Sequence, residues 1–242
     1  MAVVVPAYRE ARLIGRTLRA IPAWIDDVVV VDDGSDDDTA GAAERHGDRR
    51  VRVVRHPTNR GVGAAIATGY RHAFEAGADV AVVMAGDAQM DPDDLPRLLQ
   101  AVGQGAGYAK GDRLSWPEAR KRMPWTRWLG NHILAALTRW ATGLDVRDSQ
   151  CGYTALSREA ASLLDLESIW PRYGYPNDLL GAMATAGVTV QEVPVRPVYR
   201  DEESGVGWRD AVIVIPALLA RVAWRRWRSE NHNAVRALPS SR

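Results

Sequence analysis

Short valine-rich runs alternate with amphipathic stretches through the first hundred residues. The runs at residues 3–5, 28–31, 51–54 and 80–84 are apolar at nearly every position, which predicts strands covered on both faces. Between them, residues 10–20, a stretch from Thr39 and residues 63–76 read as helices. Strand and helix in strict alternation predict right-handed βαβ units and a mostly parallel, Rossmann-like sheet flanked by helices. Past residue 100 the pattern loosens into a strand at 108–110, a Trp-rich helix at 125–142 and the segment 150–156. A helix at 177–186 and an alternating strand at 188–198 follow. The chain reads as a single α/β domain over residues 1–205, an amphipathic C-terminal helical segment over 206–230 and a disordered tail over 231–242.

The C-terminal segment has two readings. From Trp208 to Trp227 an apolar stretch is followed by Arg221, Trp224, Arg225, Arg226, Trp227 and Arg228. Tryptophan and arginine beside a short apolar helix suit an element lying in a membrane interface. An apolar face packed on the domain, or in a dimer, explains the same residues. Trp116, Trp125, Trp128 and Trp140, with Arg120, Lys121, Arg122 and Arg127, pose the same choice. No uninterrupted apolar run reaches the roughly 18 to 20 residues of a membrane span.

Composition narrows the function classes. The 242 residues carry 31 Lys and Arg against 30 Asp and Glu, so no global charge favours nucleic acid as a partner. A single cysteine, Cys151, excludes an internal disulfide framework and a cysteine-based zinc site, and suits a reducing cytoplasm. The first strand follows Met1 so closely that no signal peptide is expected. Oligomeric state is left open.

Chemistry concentrates where strands end. Residues 80–92, VAVVMAGDAQMDP, form a buried strand that breaks into an acidic turn. Ligands of open α/β sheets bind beyond the carboxyl ends of strands. Asp87 and Gln89 offer hard oxygen donors there for Mg²⁺ or Mn²⁺, of the kind completed by substrate phosphates. The plain alternative is a connecting loop with Asp91 capping a helix from Pro92. Asp32 and Asp33 close the second strand and can accept hydrogen bonds from a ribose or base, or else form Asx turns. Asn59, Arg60, Gly61 and Gly63 enter a helix whose N–H groups suit an anion, although tight packing explains both glycines as well.

Taken together, four motifs resemble family 2 glycosyltransferases, and among them the dolichyl- or polyprenyl-phosphate mannosyltransferase-like branch. They are VVVPAY with Glu10, VDDGSDD with Thr39, NRGVG from Asn59, and GDAQMDP from Gly86. The resemblance runs from about Ala2 to Ser204. It implies a GT-A fold, a GDP- or UDP-linked sugar donor, a divalent cation and inversion at the anomeric carbon. It also implies that Pro6, Ala7, Tyr8, Glu10, Asp32, Asp33, Asn59, Gly61, Gly63, Gly86 and Asp87 bind the nucleotide sugar, with Asp87 and Gln89 at the metal. Ala85 stands where many members carry the first Asp of a DxD element, which opens the alternative of a catalytically degenerate relative.

On the acceptor side, Arg113 resembles the family's basic residue near sugar phosphate or acceptor. Residues 148–154, DSQCGYT, resemble a floor segment. Cys151 reads as a packed residue, since no Cys/His signature accompanies it. Asp178 is the catalytic-base candidate by resemblance, with helix capping as its plain reading. A hydroxyl acceptor, in a polysaccharide or natural product, needs such a base. A polyprenyl phosphate, with a second pKa near about 6, does not. The reading chosen is transfer to polyprenyl phosphate by an enzyme in the cytoplasm, peripheral on the inner membrane face.

Overall fold

The computed structural model describes residues 1–198 and 214–236. One sheet of seven strands organises it, in the order β3-β2-β1-β4-β6-β5-β7. The strands are β1 (Ala2–Ala7), β2 (Asp27–Asp32), β3 (Val51–Arg55), β4 (Val80–Val83), β5 (Tyr108–Asp112), β6 (Thr154–Ser157) and β7 (Val190–Pro194). Strands β1 to β4 pair in parallel, and β5 pairs in parallel with β7. Only β6 runs against its neighbours, β4 and β5. The strand expected over 188–198 is shorter, and the segment 150–156 supplies β6 only from Thr154.

The helices are α1 (Ile14–Ala20), α2 (Thr39–Glu44), α3 (Val62–Glu75), α4 (Leu95–Gly103), α5 (Ala119–Arg122), α6 (Trp125–Thr142), α7 (Arg158–Ser162), α8 (Tyr175–Ala186) and α9 (Ile215–Arg236). They cover both faces of the sheet. Val4, Val29, Val31, Ala81 and Val83 face one core with Tyr70, Leu180 and Met183. Val3, Val5, Val28, Val30 and Val82 face the other with Ile14, Leu18, Leu95 and Leu98. A period of two therefore feeds two cores, which is why these strands read as unbroken apolar runs rather than alternating ones.

Asp91 caps the turn at Pro92, its side chain accepting from Asp93 N. The capping reading of residues 80–92 therefore holds for Asp91, while Asp87 and Gln89 lie in the preceding loop and take no part in the cap.

Helix α9 turns its apolar face inward. Ile215, Leu219 and Val222 pack with Ala141 in a small third core, while Trp224 and Trp227 stay exposed. The helix continues to Arg236, past residue 230, so the tail expected from 231 begins inside a helix. The remainder of that tail, residues 237–242, and the start of the C-terminal segment, 206–213, lie outside the described residues. Among the described residues, no helix is long and apolar enough to cross a membrane.

Candidate active site

Parallel strands deliver their carboxyl ends to one side, so the loops after β1, β2 and β4 converge there. The acidic motif after β2 braces the loop after β1. Ser35 Oγ accepts Arg9 N at 2.9 Å, and Thr39 Oγ1 accepts Glu10 N at 2.8 Å. Asp37 accepts from Ala11 N and Thr39 N. The chain from Tyr8 to Ala11 is held by side chains some 26 to 29 residues away.

Asp32 and Asp33 separate here. Asp32 is fully buried, accepts Ser35 N at 3.0 Å and lies 3.2 Å from Arg55 Nε. It forms the turn and lines neither cavity described below. Asp33 accepts from Arg60 N at 2.9 Å and Gly61 N at 2.7 Å, and pairs with His56 Nδ1 at 2.7 Å. His56 Nε2 meets Thr68 Oγ1 at 3.0 Å. Asp33 thus draws the loop from Asn59 to Gly61 onto the sheet. His56 was not singled out from sequence, and its place directly after β3 is the only cue to it.

Gly61 and Gly63 serve close packing. Gly61 has φ 102°, and a Cβ on it would strike Pro171 O and Arg172. One on Gly63 would strike Trp170 O and Tyr175. Ala64 N donates to Pro171 O at 3.1 Å, so the entry to α3 is fastened to residues 170–172. Gly63 lines neither cavity, and its close approach to Trp170 and Tyr175 accounts for a glycine at this position.

A cavity of about 810 Å³ is lined by Pro6, Ala7, Tyr8, Glu10, Asp33, Asn59, Gly61, Gly86 and Asp87, joined by Arg172 and Tyr173. A second, of about 410 Å³, shares Pro6, Val62, Ala85, Asp87 and Tyr173 with the first and adds Gln89, Arg113, Arg127, Gln150, Cys151, Tyr153 and Arg196. The two chambers join at the end of β4. Both volumes fall in the range of small-molecule sites, about 300–1,000 Å³.

Asp87 lies at the junction, and its Oδ1 accepts Gln89 N at 3.0 Å. The turn between them places Ala88 at φ 56°, a left-handed conformation costing about 1 kcal/mol or more for a residue with a Cβ. Ala85 lines both chambers and contributes no side-chain oxygen. Among the described residues, no three His, Cys, Asp or Glu side chains gather as a metal cage. One carboxylate and one amide still suit Mg²⁺ or Mn²⁺, which are commonly held by one or two carboxylates plus substrate phosphates and water.

The acceptor-side candidates have partners of their own. Arg113 grips the buried Asp148 with Nε at 2.7 Å and Nη2 at 2.9 Å, and its backbone N donates to the same carboxylate. Burial pushes the Asp148 carboxyl up, but the Arg113 charge and hydrogen bonds, with Lys110, outweigh it and hold the group at about 2. Lys110 is fully buried and donates to Cys151 O at 2.6 Å. Burial raises the Cys151 thiol, in keeping with a packed residue. Arg196 reaches Asp91 at 2.9 Å.

Asp178 is also buried. It accepts Trp170 N at 2.8 Å and pairs with Arg221 at 2.5 Å, with Arg225 at 3.7 Å. It lines neither chamber, although its neighbours Tyr175 and Pro176 line the second. The expected base therefore ties α8 to α9, through two arginines of the cluster that the sequence offered either to a membrane interface or to a packed terminal helix.

Comparison with known proteins agrees with this architecture. The family model for glycosyl transferase family 2 matches residues 2–163. A UDP-N-acetylglucosamine–dolichyl-phosphate N-acetylglucosaminyltransferase of Methanococcus voltae is 30% identical over 214 residues, covering 82% of this chain and 85% of that protein. An undecaprenyl-phosphate mannosyltransferase of Micrococcus luteus is 33% identical over 211 residues, covering 82% and 83%. Glucosyl-3-phosphoglycerate synthase from Mycobacterium tuberculosis, solved with Mn²⁺, UDP-glucose and glycerol 3-phosphate, superposes with a TM-score of 0.71. The superposition has 24% identity and covers 92% of this chain and 79% of that one. With the sheet, the converging loops and these likenesses in place, the chain belongs to glycosyl transferase family 2 and has the GT-A fold of a glycosyltransferase.

Proposed function

We propose that the chain transfers a sugar, with inversion, from a GDP- or UDP-linked donor to a polyprenyl phosphate at the cytoplasmic membrane face, with Mg²⁺ or Mn²⁺. The observation carrying this reading is the make-up of the second chamber. Arg113, Arg127 and Arg196 line it, and among the described residues Asp87 is its one carboxylate. That lining suits a phosphate nucleophile. Among the described residues it has no second carboxylate to deprotonate a hydroxyl, Asp178 being paired with Arg221 outside it. The lipid-phosphate acceptors in the names of the two relatives support the same choice.

In this reading the first chamber takes the nucleotide sugar. Asp33 holds the Asn59–Gly61 loop in place, and Ser35 and Thr39 hold the Tyr8–Glu10 loop, so the walls stand before the donor arrives. Asp87 and Gln89 would hold the divalent ion, which when bound offsets charge growing on the leaving diphosphate. Arg113 is fixed by Asp148 at the acceptor side, ready to orient an anionic nucleophile. The acceptor phosphate, largely ionised at neutral pH, attacks the anomeric carbon opposite the departing diphosphate through an oxocarbenium-like state.

The test incubates purified protein with Mg²⁺ or Mn²⁺, a panel of GDP and UDP sugars, and polyprenyl phosphate. A sugar-linked lipid phosphate is expected. Turnover confined to a soluble hydroxyl acceptor, or binding of donor without any transfer, would sink the reading.

Asp178→Asn gives a second expectation. Turnover on polyprenyl phosphate and its pH profile should stay near those of the parent, while stability falls by about 1–3 kcal/mol as the arginines lose their charged partner. Urea unfolding and initial rates measure the two. Loss of turnover with stability intact would return Asp178 to the chemistry.

A further inference from the structure

Helix α6 has two unlike faces. Arg127, Gly130, Asn131 and Leu134 line the second chamber, and Ala135, Thr138 and Ala141 are buried. Elsewhere on the helix, Trp125, Leu129, Ile133, Leu137 and Trp140 follow one another at steps of four, four, four and three residues, which places them in one stripe. All five are exposed, Trp125 by 74%, Ile133 by 53% and Trp140 by 69%. At 1.5 Å per residue the stripe is about 22 Å long. Trp224 and Trp227, on the neighbouring α9, are exposed as well. A contiguous apolar surface of this kind marks an interaction site.

Charge identifies the occupant. Helices α5, α6 and α9 contain ten of the chain's 31 Lys and Arg and only one of its 30 Asp and Glu. Arg221 and Arg225 are spent on Asp178, but Arg120, Lys121 and Arg228 are exposed, with Arg120 over the Trp128 ring and Arg228 over the Trp224 ring. Among the described residues, unneutralised positive charge therefore remains beside the tryptophans of α6 and α9. Two copies meeting through this face would bring like charges together, which opposes self-association. Tryptophans at both ends of an apolar stripe, among arginines, match the boundary between lipid headgroups and acyl chains.

We propose that this face docks on a bilayer leaflet containing anionic lipid, with the α6 stripe seated at the headgroup–acyl boundary. The second chamber, walled by the same helix, then lies within about one helix diameter, some 10 Å, of the lipid surface. The proposal deepens the lipid-phosphate reading and rests on it for the choice of a lipid occupant. The docking helix is α6, whereas the apolar face of α9 is used inside the protein.

The experiment is co-sedimentation of the full chain with phosphatidylcholine vesicles, with and without phosphatidylglycerol, beside a turnover assay on detergent-dispersed polyprenyl phosphate. Binding is expected on the anionic vesicles and is weakened by salt. Ile133→Glu and Leu137→Glu should each lower the partition coefficient about tenfold or more, since each puts a charge where apolar surface enters lipid. Trp125→Ala, which adds no charge, should lower it in the same direction. Turnover in detergent should be unchanged in all three, because none of these residues lines a chamber. Absence of vesicle binding, parent-like binding by the variants, or a parent dimer that the variants dissociate would each overturn the proposal. Vesicle binding without turnover on any lipid phosphate would leave the docking standing and remove the acceptor reading instead.

Discussion

Replacing Asp87 by Asn is expected to reduce kcat by 10²–10³-fold or more, the usual cost of removing one group that stabilises charge in a transition state. The residue stands at the junction of the two chambers, and among the described residues it is the only carboxylate lining the second. With Ala85 beside it carrying no oxygen, little remains to share its task. Gln89 would be left as a neutral ligand, so Mn²⁺ binding in the presence of nucleoside diphosphate should weaken together with kcat. Asn keeps the shape and can still accept from Gln89 N, so the unfolding midpoint should barely move. Calorimetry with Mn²⁺ and steady-state rates read the two effects. Turnover within tenfold of the parent would remove Asp87 from the reaction.

Asp148→Ala should have the largest effect on stability, a loss of about 3–5 kcal/mol, because breaking a buried pair leaves its cations uncompensated. Arg113 would lose its two side-chain bonds to Asp148, and Lys110, buried nearby, would lose the anion in its surroundings. Urea unfolding at neutral pH measures this, and a loss under about 1 kcal/mol would show that the pair is not coupled to folding. The pH dependence has a definite sign. The Asp148 carboxyl titrates at about 2 in the folded protein, against about 3.9 when unfolded. Its contribution, on the order of 2 kcal/mol, is complete above pH ~4 and disappears as pH falls from about 4 towards 2. Glu192, raised by burial, acts in the opposite sense. The Asp148 part is therefore the difference between parent and Asp148→Asn curves, and that difference should vanish at the acid end.

The site was legible in unequal parts. Nine residues expected at the nucleotide now line one cavity, because each belongs to a motif at the end of a strand and parallel strands bring those ends together. Asp32 and Gly63 belong to the same motifs and fell elsewhere. Along a strand, adjacent side chains point opposite ways, so one of two neighbouring aspartates meets the cavity and the other forms the turn. The glycine is required by Trp170, more than a hundred residues on, and nothing local announces that contact.

Local pattern alone determined the βαβ alternation, the double-sided burial of the valine strands and the oxygen donors of the β4 loop, since each depends on residues a few positions apart. Tertiary structure decided what every charged group pairs with. It gave Asp178 to Arg221, Asp148 to Arg113 and Asp33 to His56, across 43, 35 and 23 residues. It also decided which face of each amphipathic helix is covered, turning α9 inward and leaving the α6 stripe outside. A helical period reveals that an apolar face exists, but only the packing of the other elements determines whether protein covers it.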